Sequence, residues 1–182
     1  MNFLKSLFLS IVDIVKIAVV ALVLAITVRY FLIQPFFVEG ASMEPNFESG
    51  EYLLIDEISY RFKSTGRGEV IVFHYPLDTS KYYIKRIVGL PGETIEVKNG
   101  KVIIYNSANP DGIILDENYL PENLATNGQT KKKLGADEYF VLGDNRQVSS
   151  DSRIWGSLPK SDIVGRVWIR VWPFNRAVIF NY

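Results

Sequence analysis

The sequence predicts a mainly β protein, with an amino-terminal transmembrane helix followed by a β-rich domain that carries an inserted β excursion. Three observations support this expectation. A long apolar segment lies near the amino terminus, short apolar runs punctuated by turn residues follow Pro35, and one long polar stretch interrupts those runs. The 182 residues leave room for an anchor and one modest core. The expected organisation is a stub and anchor over residues 1–36 and one β-rich domain over residues 37–182, with the excursion at about 106–134.

The anchor comes first. From Leu7 to Val28 only Ser10, Asp13, Lys16 and Thr27 interrupt the apolar residues, and about 20 helical residues cross a bilayer. Asp13 and Lys16 are spaced to pair on one helix face, where the lysine stem can reach toward water. Arg29, Tyr30 and Phe31 suit the far interface, while Lys5 and Lys16 favour a cytoplasmic amino terminus and an extracytoplasmic domain. A cleavable signal peptide would need a shorter apolar core and a small-x-small site, which Phe36-Phe37-Val38-Glu39 does not offer.

Beyond Pro35 the runs Tyr52–Ile55, Glu69–Tyr75, Tyr82–Val88, Thr94–Val97, Lys101–Tyr105, Tyr139–Leu142 and Gly165–Val171 read as strands. Asn99-Gly100 between two of them is a hairpin signal, because a type I′ turn places both central residues at positive φ. Pro91-Gly92 and Asn109-Pro110-Asp111-Gly112 read as further turns. The residues from 106 to 134 are polar and weakly patterned, as expected of an excursion between two parts of one β core.

Composition narrows the chemistry. Lys plus Arg and Asp plus Glu both total 20, so the charge balance offers no reason to expect a nucleic-acid partner. Lys131-Lys132-Lys133 is the one basic run and reads as a solvated loop. With no cysteine, disulfides, thiolate metal sites and cysteine nucleophiles are excluded. No metal site or cofactor is expected, and the oligomeric state is left open.

Ser42 lies in Gly40-Ala41-Ser42-Met43-Glu44-Pro45, just past the apolar segment, where it would meet a substrate close to the membrane surface. A serine hydroxyl needs a base. The single histidine, His74, ends a strand before Pro76 and reads as structural. Lys85 is the better base, since strand alternation places it on one face with Tyr83 and Ile87 and turns Arg86 to the other. At its ordinary pKa of about 10.4, however, roughly one lysine in a few thousand is neutral at pH 7. Only burial would make it a working base, and pattern alone favours a surface or snorkelling lysine. A second polar cluster runs from Gly143 to Arg153. It interleaves Asp144 with Arg146 and Asp151 with Arg153, contacts that would hold a loop rigidly with or without chemistry.

Taken together, the anchor, the Ser42 segment, Arg67–Phe73, Tyr83–Glu93 and Gly143–Arg153 resemble the type I signal peptidases, membrane-bound serine proteases that remove signal peptides from exported proteins. The resemblance covers nearly the whole chain, and its four segments stand in the family's order. It implies that the β-rich domain is catalytic, with Ser42 as nucleophile and Lys85 as general base. Ser149 would orient the amine, with Ser150 the adjacent alternative. The Ser42 backbone N–H would hold the oxyanion, and Asp144, Asp151 and Arg153 would brace the site through ion pairs, with Arg86 a partner for Asp144. Three positions depart from the family pattern: Gly40 lacks a hydroxyl that some members carry there, Asn46 replaces threonine, and Glu93 replaces aspartate.

The resemblance also implies an extended substrate, the signal peptide of a secretory preprotein with an Ala-x-Ala type site. It would bind along the strands carrying Val38 to Ala41 and Tyr82, Tyr83 and Ile84. The lipid bilayer is the second expected partner, and Phe36, Phe37, Trp172, Pro173 and Phe174 suit an interfacial surface and a buried core equally well. The expected location is the cell membrane, or a thylakoid membrane. A membrane-anchored β domain used only for binding, or a pseudoenzyme, would account for span and strands but leave Ser42, Lys85 and the polar cluster without a task. A soluble self-cleaving Ser-Lys protease would not carry the anchor.

Overall fold

A computed structural model describes residues 9, 11–23, 33–58, 65–122 and 124–182. Residues 11–23 are helical and carry the expected Asp13–Lys16 pair at 3.1 Å. Residues 7, 8, 10 and 24–28 of the apolar segment Leu7–Val28 lie outside the described residues, and no described helix is long and apolar enough to cross a membrane.

The rest is β structure in two sheets. The strands are β1 (Ile33–Phe37), β2 (Tyr52–Asp56), β3 (Val70–Tyr75), β4 (Asp78–Gly89), β5 (Thr94–Lys98), β6 (Lys101–Asn106), β7 (Asn109–Ile114), β8 (Thr130–Lys133), β9 (Glu138–Leu142), β10 (Leu158–Pro159), β11 (Ile163–Trp172) and β12 (Val178–Ile179). The larger sheet has the order β1-β2-β11-β3-β4-β9-β10, with β12 also paired to β11. The smaller has the order β7-β6-β5-β8. All the described strand pairs are antiparallel.

The second sheet is the excursion, and it begins at Thr94 rather than near residue 106. β5 and β6 pair with each other and with β8 and β7, not with the main sheet. The Asn99-Gly100 hairpin forms with φ of 53° and 77°, as its residue types require. Two expectations are corrected. Lys131-Lys132-Lys133 is not a loop but the edge strand β8, paired with Thr94 to Glu96 of β5. Three successive lysines show no alternation, yet an exposed edge tolerates charge on every residue. The turn expected at Asn109–Gly112 instead falls at Ser107-Ala108, because Asn106 Oδ1 accepts from the N–H groups of Ala108 (3.1 Å) and Asn109 (2.9 Å). Gly112 lies inside β7, where a Cβ would come within 2.6 Å of the Tyr105 ring.

Three apolar clusters hold the elements. One joins Val38, Met43 and Phe47 to Leu53, Ile55, Val70, Val72, Ile84 and Val167. A second contains Ile71, Phe73, Ile87, Tyr139, Val141 and Leu158. The third seats the small sheet on the large one, packing Ile95, Val97, Val102 and Ile104 against Val88, Phe140 and Leu142. Gly89 permits that approach, since a Cβ there would lie 2.5 Å from Ile95 and 2.8 Å from Phe140.

Phe47 ties the segment after β1 into the first cluster. It is fully buried and packs against Phe180 with centroids 5.1 Å apart. Phe47→Ala should lower unfolding free energy by about 3–5 kcal/mol, the usual cost of emptying a buried phenylalanine site. Urea unfolding followed by circular dichroism measures this, and a loss below about 1 kcal/mol would show that the segment is held in another way.

Candidate active site

After β1 the chain leaves the sheet at Val38 and returns at Glu51, and two main-chain hydrogen bonds close this loop at its base. Val38 N–H donates to Glu51 O and Gly50 N–H donates to Val38 O, each at 2.9 Å. Met43 and Phe47 point into the core. The turn between them is closed by Glu44 N–H to Ala41 O (3.3 Å) and Phe47 N–H to Met43 O (2.9 Å). Gly40, at φ 88°, sets the bend that precedes the serine. Ser42 thus stands on a tight turn with its neighbour buried and its own side chain partly open. Its backbone N–H makes no hydrogen bond within the described residues.

Lys85 lies near the middle of β4, where β3 pairs alongside through Ile71. The residue is 3% exposed. Its Nζ donates to Ser42 Oγ at 2.7 Å and to Ile84 O at 2.8 Å, and it lies 5.3 Å from the Tyr83 ring centroid. Burial pushes the ammonium down to about 8, while the carboxylates of Asp151 and Asp144 pull in the opposite direction. The surface lysine that the strand pattern also allowed is therefore not what forms. His74 takes no part, since its Nδ1–H donates to Thr79 O (2.8 Å) inside the β3–β4 hairpin.

The loop from Gly143 to Arg153 lies behind this pair. Asp144 is fully buried and accepts two hydrogen bonds from Arg86, from Nε at 2.8 Å and from the terminal guanidinium nitrogen at 2.6 Å. Such a forked pair fixes both partners in plane. Asp151 caps the short helix Ser152–Trp155 and accepts from Arg153 and from Gly143 N–H at 3.1 Å. Arg153 also donates to Arg146 O at 2.8 Å. Arg146 does not pair with Asp144, as the interleaved charges suggested. It turns to Glu117 in the excursion and donates from Nε to Gly143 O at 2.9 Å.

Ser149 is buried beside Gly143, whose missing side chain is required: a Cβ there would fall 2.1 Å from Ser149 Oγ and 2.4 Å from Ser42 O. Among the described residues the Ser149 hydroxyl has no hydrogen-bond partner, and the Lys85 amine is engaged by Ser42 and Ile84. Ser150 lines the adjoining groove.

That groove, about 790 Å³, opens over the pair between the end of β1 and the first half of β4. Ala41, Tyr82, Tyr83 and Ile84 line it together with Ser42, Lys85, Phe36, Phe37 and Val148. Val38 is the exception among the expected substrate residues. It is buried in the core, and both its main-chain groups are used by Glu51 and Gly50. β9 joins β4 only from Arg86 onward, so Tyr82 to Ile84 have a strand neighbour on the β3 side alone. Among the described residues no group of three or more His, Cys, Asp or Glu side chains is placed to hold a metal ion.

Sequence reasoning missed several residues that shape this site. Asn46 Nδ2 donates to Asp144 at 2.9 Å and to Tyr119 O at 2.8 Å. Glu93 accepts from Arg67 at 2.7 and 2.9 Å, tying the segment before β3 to the turn before β5. Glu117, Tyr119 and Thr126 come from the weakly patterned stretch, where no spacing or motif marks them. Asn46 and Glu93 did carry a signal, as departures from the family pattern at positions that face charged partners.

Comparison with known proteins places this geometry in context. The family described as Signal peptidase, peptidase S26 matches residues 11–172. A signal peptidase I of Leptolyngbya laminosa is 38% identical over 170 residues, covering 89% of this chain and 80% of the relative. A probable signal peptidase I-2 of Synechocystis is 39% identical over 168 residues, covering 89% and 73%. Signal peptidase IB of Staphylococcus aureus is 32% identical over 173 residues, with 89% of each covered. With a match of this extent, and with a serine and a buried lysine in contact at the head of an open groove, the chain belongs to the signal peptidase family.

Proposed function

We propose that this protein removes amino-terminal signal peptides from exported preproteins through an acyl-enzyme formed on Ser42, with Lys85 as the general base. The observation that carries the reading is the 2.7 Å contact between Lys85 Nζ and Ser42 Oγ, made by a lysine whose burial brings its pKa to about 8. At that value a substantial minority of the amine is neutral near pH 7, where an ordinary lysine is almost wholly charged.

The neutral amine takes the hydroxyl proton as Oγ bonds to the scissile carbonyl carbon. The Ser42 N–H, without a partner among the described residues, is one donor for the oxyanion of the tetrahedral intermediate. Collapse breaks the C–N bond, and the ammonium of Lys85 returns the proton to the leaving amine. Water deprotonated by the same lysine then attacks the ester, and Ser42 leaves with that proton. Ser149 is assigned to orient the amine. Its buried hydroxyl has no partner among the described residues, a state that few buried polar groups keep. Asp144, Arg86, Asp151 and Arg153 hold the loop behind the pair.

The substrate lies extended in the groove and adds a strand to the open edge at Tyr82–Ile84, opposite Ala41. Cleavage after small residues is what likeness to the family implies. The apolar segment Leu7–Val28 anchors the chain across the membrane, with the β domain extracytoplasmic. A surface next to the groove suits the same location. Phe37, Tyr52 and Trp172 stand in register on β1, β2 and β11, and all are exposed. Phe174, 78% exposed, packs edge-on against Trp172. Aromatic side chains at such an edge favour the bilayer interface.

Ser42→Ala and Lys85→Ala should each abolish cleavage of a preprotein bearing Ala-x-Ala, whereas Ser149→Ala should cost less, about 10- to 100-fold, because it orients the base and transfers no proton. Turnover by full-length protein in detergent measures this, and activity retained in either of the first two variants rejects the assignment. The base acts unprotonated, so the rate should rise with pH and level off above about 8. The same depressed value makes a stability prediction. Below about pH 8 the charged lysine costs the fold about 3 kcal/mol, a cost that fades between pH 8 and the ordinary 10.5. Lys85→Met should therefore stabilise the protein at pH 7 and lose that advantage by pH 10, as thermal unfolding at the two pH values would reveal. In bilayers containing brominated lipid, Trp172 fluorescence should be quenched and the quenched component lost in Trp172→Phe. Equal emission with and without bromine would reject the interfacial surface.

A further inference from the structure

Tyr119 has no place in the proposed chemistry, yet it touches three of the groups that hold it together. Its ring lies over the Arg86 guanidinium, 4.1 Å from centroid to carbon. Its carbonyl accepts a hydrogen bond from Asn46 Nδ2 at 2.8 Å. Its hydroxyl donates to Glu117 at 2.7 Å and accepts from Arg146 at 3.3 Å.

Each of these partners reaches the Ser42–Lys85 pair by one further step. Arg86 follows Lys85 on β4 and is forked to Asp144. Asn46 belongs to the Ser42 turn and donates to the same carboxylate. Arg146 donates to Gly143 O, and Gly143 abuts Ser42 O and Ser149. The segment around Tyr119 is neither strand nor helix. It lies across the buried Arg86–Asp144 pair, pinned by Glu117 to Arg146.

We propose that Tyr119 is a positioning residue for signal-peptide cleavage, a cover from the excursion whose ring and main chain hold Arg86, Asp144 and Asn46, and through them set Lys85 against Ser42. This rests on the reading of Ser42 and Lys85 as the reacting pair. A ring over a desolvated guanidinium is held more strongly than one over a guanidinium in water. It also keeps water from Asp144. Without it Arg86 and Asp144 hydrate and loosen, and the wall behind Lys85 loosens with them. The charged and titratable groups facing this wall are Asp144, Asp151, Arg86, Arg146, Glu117 and Tyr182.

The test is kcat and KM against pH for full-length protein on one Ala-x-Ala preprotein, in the wild type, Ser42→Ala, Tyr119→Phe, Tyr119→Leu and Glu117→Gln. Tyr119→Phe keeps the ring and should stay within about twofold of wild type. Tyr119→Leu should lose about tenfold in kcat with KM within about twofold. Its pH midpoint should also rise by on the order of half a unit as the lysine gains water. Because the buried lysine makes stability itself pH-dependent, the folded fraction of each variant is read by circular dichroism at every pH and the rate divided by it before the midpoint is taken. Glu117→Gln loosens the cover but keeps the ring, and should show the same changes at about threefold. Wild-type kcat and midpoint in Tyr119→Leu would overturn the proposal, as they would in Glu117→Gln should Tyr119→Leu not fold. A loss of kcat with an unmoved midpoint, or a Tyr119→Phe as impaired as Tyr119→Leu, would overturn it equally. A Tyr119→Leu like wild type beside an inactive Ser42→Ala rejects the role of Tyr119 alone, whereas turnover retained in Ser42→Ala rejects the reacting pair and this role with it.

Discussion

Burying one lysine amine against one serine hydroxyl is the constraint on which the rest of the structure depends. A charge removed from water is costly, and a lysine left on an exposed strand would have remained an ordinary surface cation. Lys85 escapes that fate because β4 is flanked by β3, its outer face is closed by the loop after β9, and the Ser42 turn seals what remains. Three distant segments have to converge on one side chain. The strand supplies the amine, Met43 and Phe47 drive the turn into the core, and Gly143 lets the loop approach where any side chain would collide with Ser149 and Ser42.

A second demand follows from the first. A loop packed this closely behind a buried amine carries polar groups that have lost water, and each needs a partner. The answer is a set of arginine–carboxylate pairs, Arg86 with Asp144 and Arg153 with Asp151, joined by Arg146 reaching Glu117. Buried pairs of this kind add little net stability against apolar alternatives. Their planar forks set position and angle instead, which a 2.7 Å contact between Lys85 and Ser42 requires. The two carboxylates also oppose the effect of burial on Lys85, so its value comes to rest near 8. The groove follows from the same arrangement, because β9 stops short of the first half of β4 and leaves Tyr82–Ile84 with an open edge beside the serine.

Much of this was legible in the residues. Alternating apolar runs marked the strands, Asn99-Gly100 marked its hairpin, and the motif segments brought Ser42, Lys85 and the Gly143–Arg153 loop to attention. The failures have physical causes. Lys131–Lys133 carries no alternation because an edge strand exposed on both faces needs none. β5 and β6 look like any other strands, since local pattern does not reveal which sheet a strand will join. Val38 is expected on the strand that binds the substrate, but it lies in the core, with its main-chain groups bonded to Glu51 and Gly50. Arg146 stands two residues from Asp144 and looks like its partner, yet its fork points the other way, toward Glu117.

By itself the sequence determined the β character of the domain, the apolar segment before it, and the types of group available for chemistry, because period, turn residues and side-chain chemistry are local properties. Only the tertiary structure decided whether Lys85 is buried against Ser42 or left as a surface charge, which carboxylate each arginine meets, and that Asn46 and Tyr119 pack behind that pair. Those outcomes depend on burial and on contacts between segments as far apart as Ser42, Lys85 and Asp144. Desolvation and paired charge arise only where the fold brings such segments together.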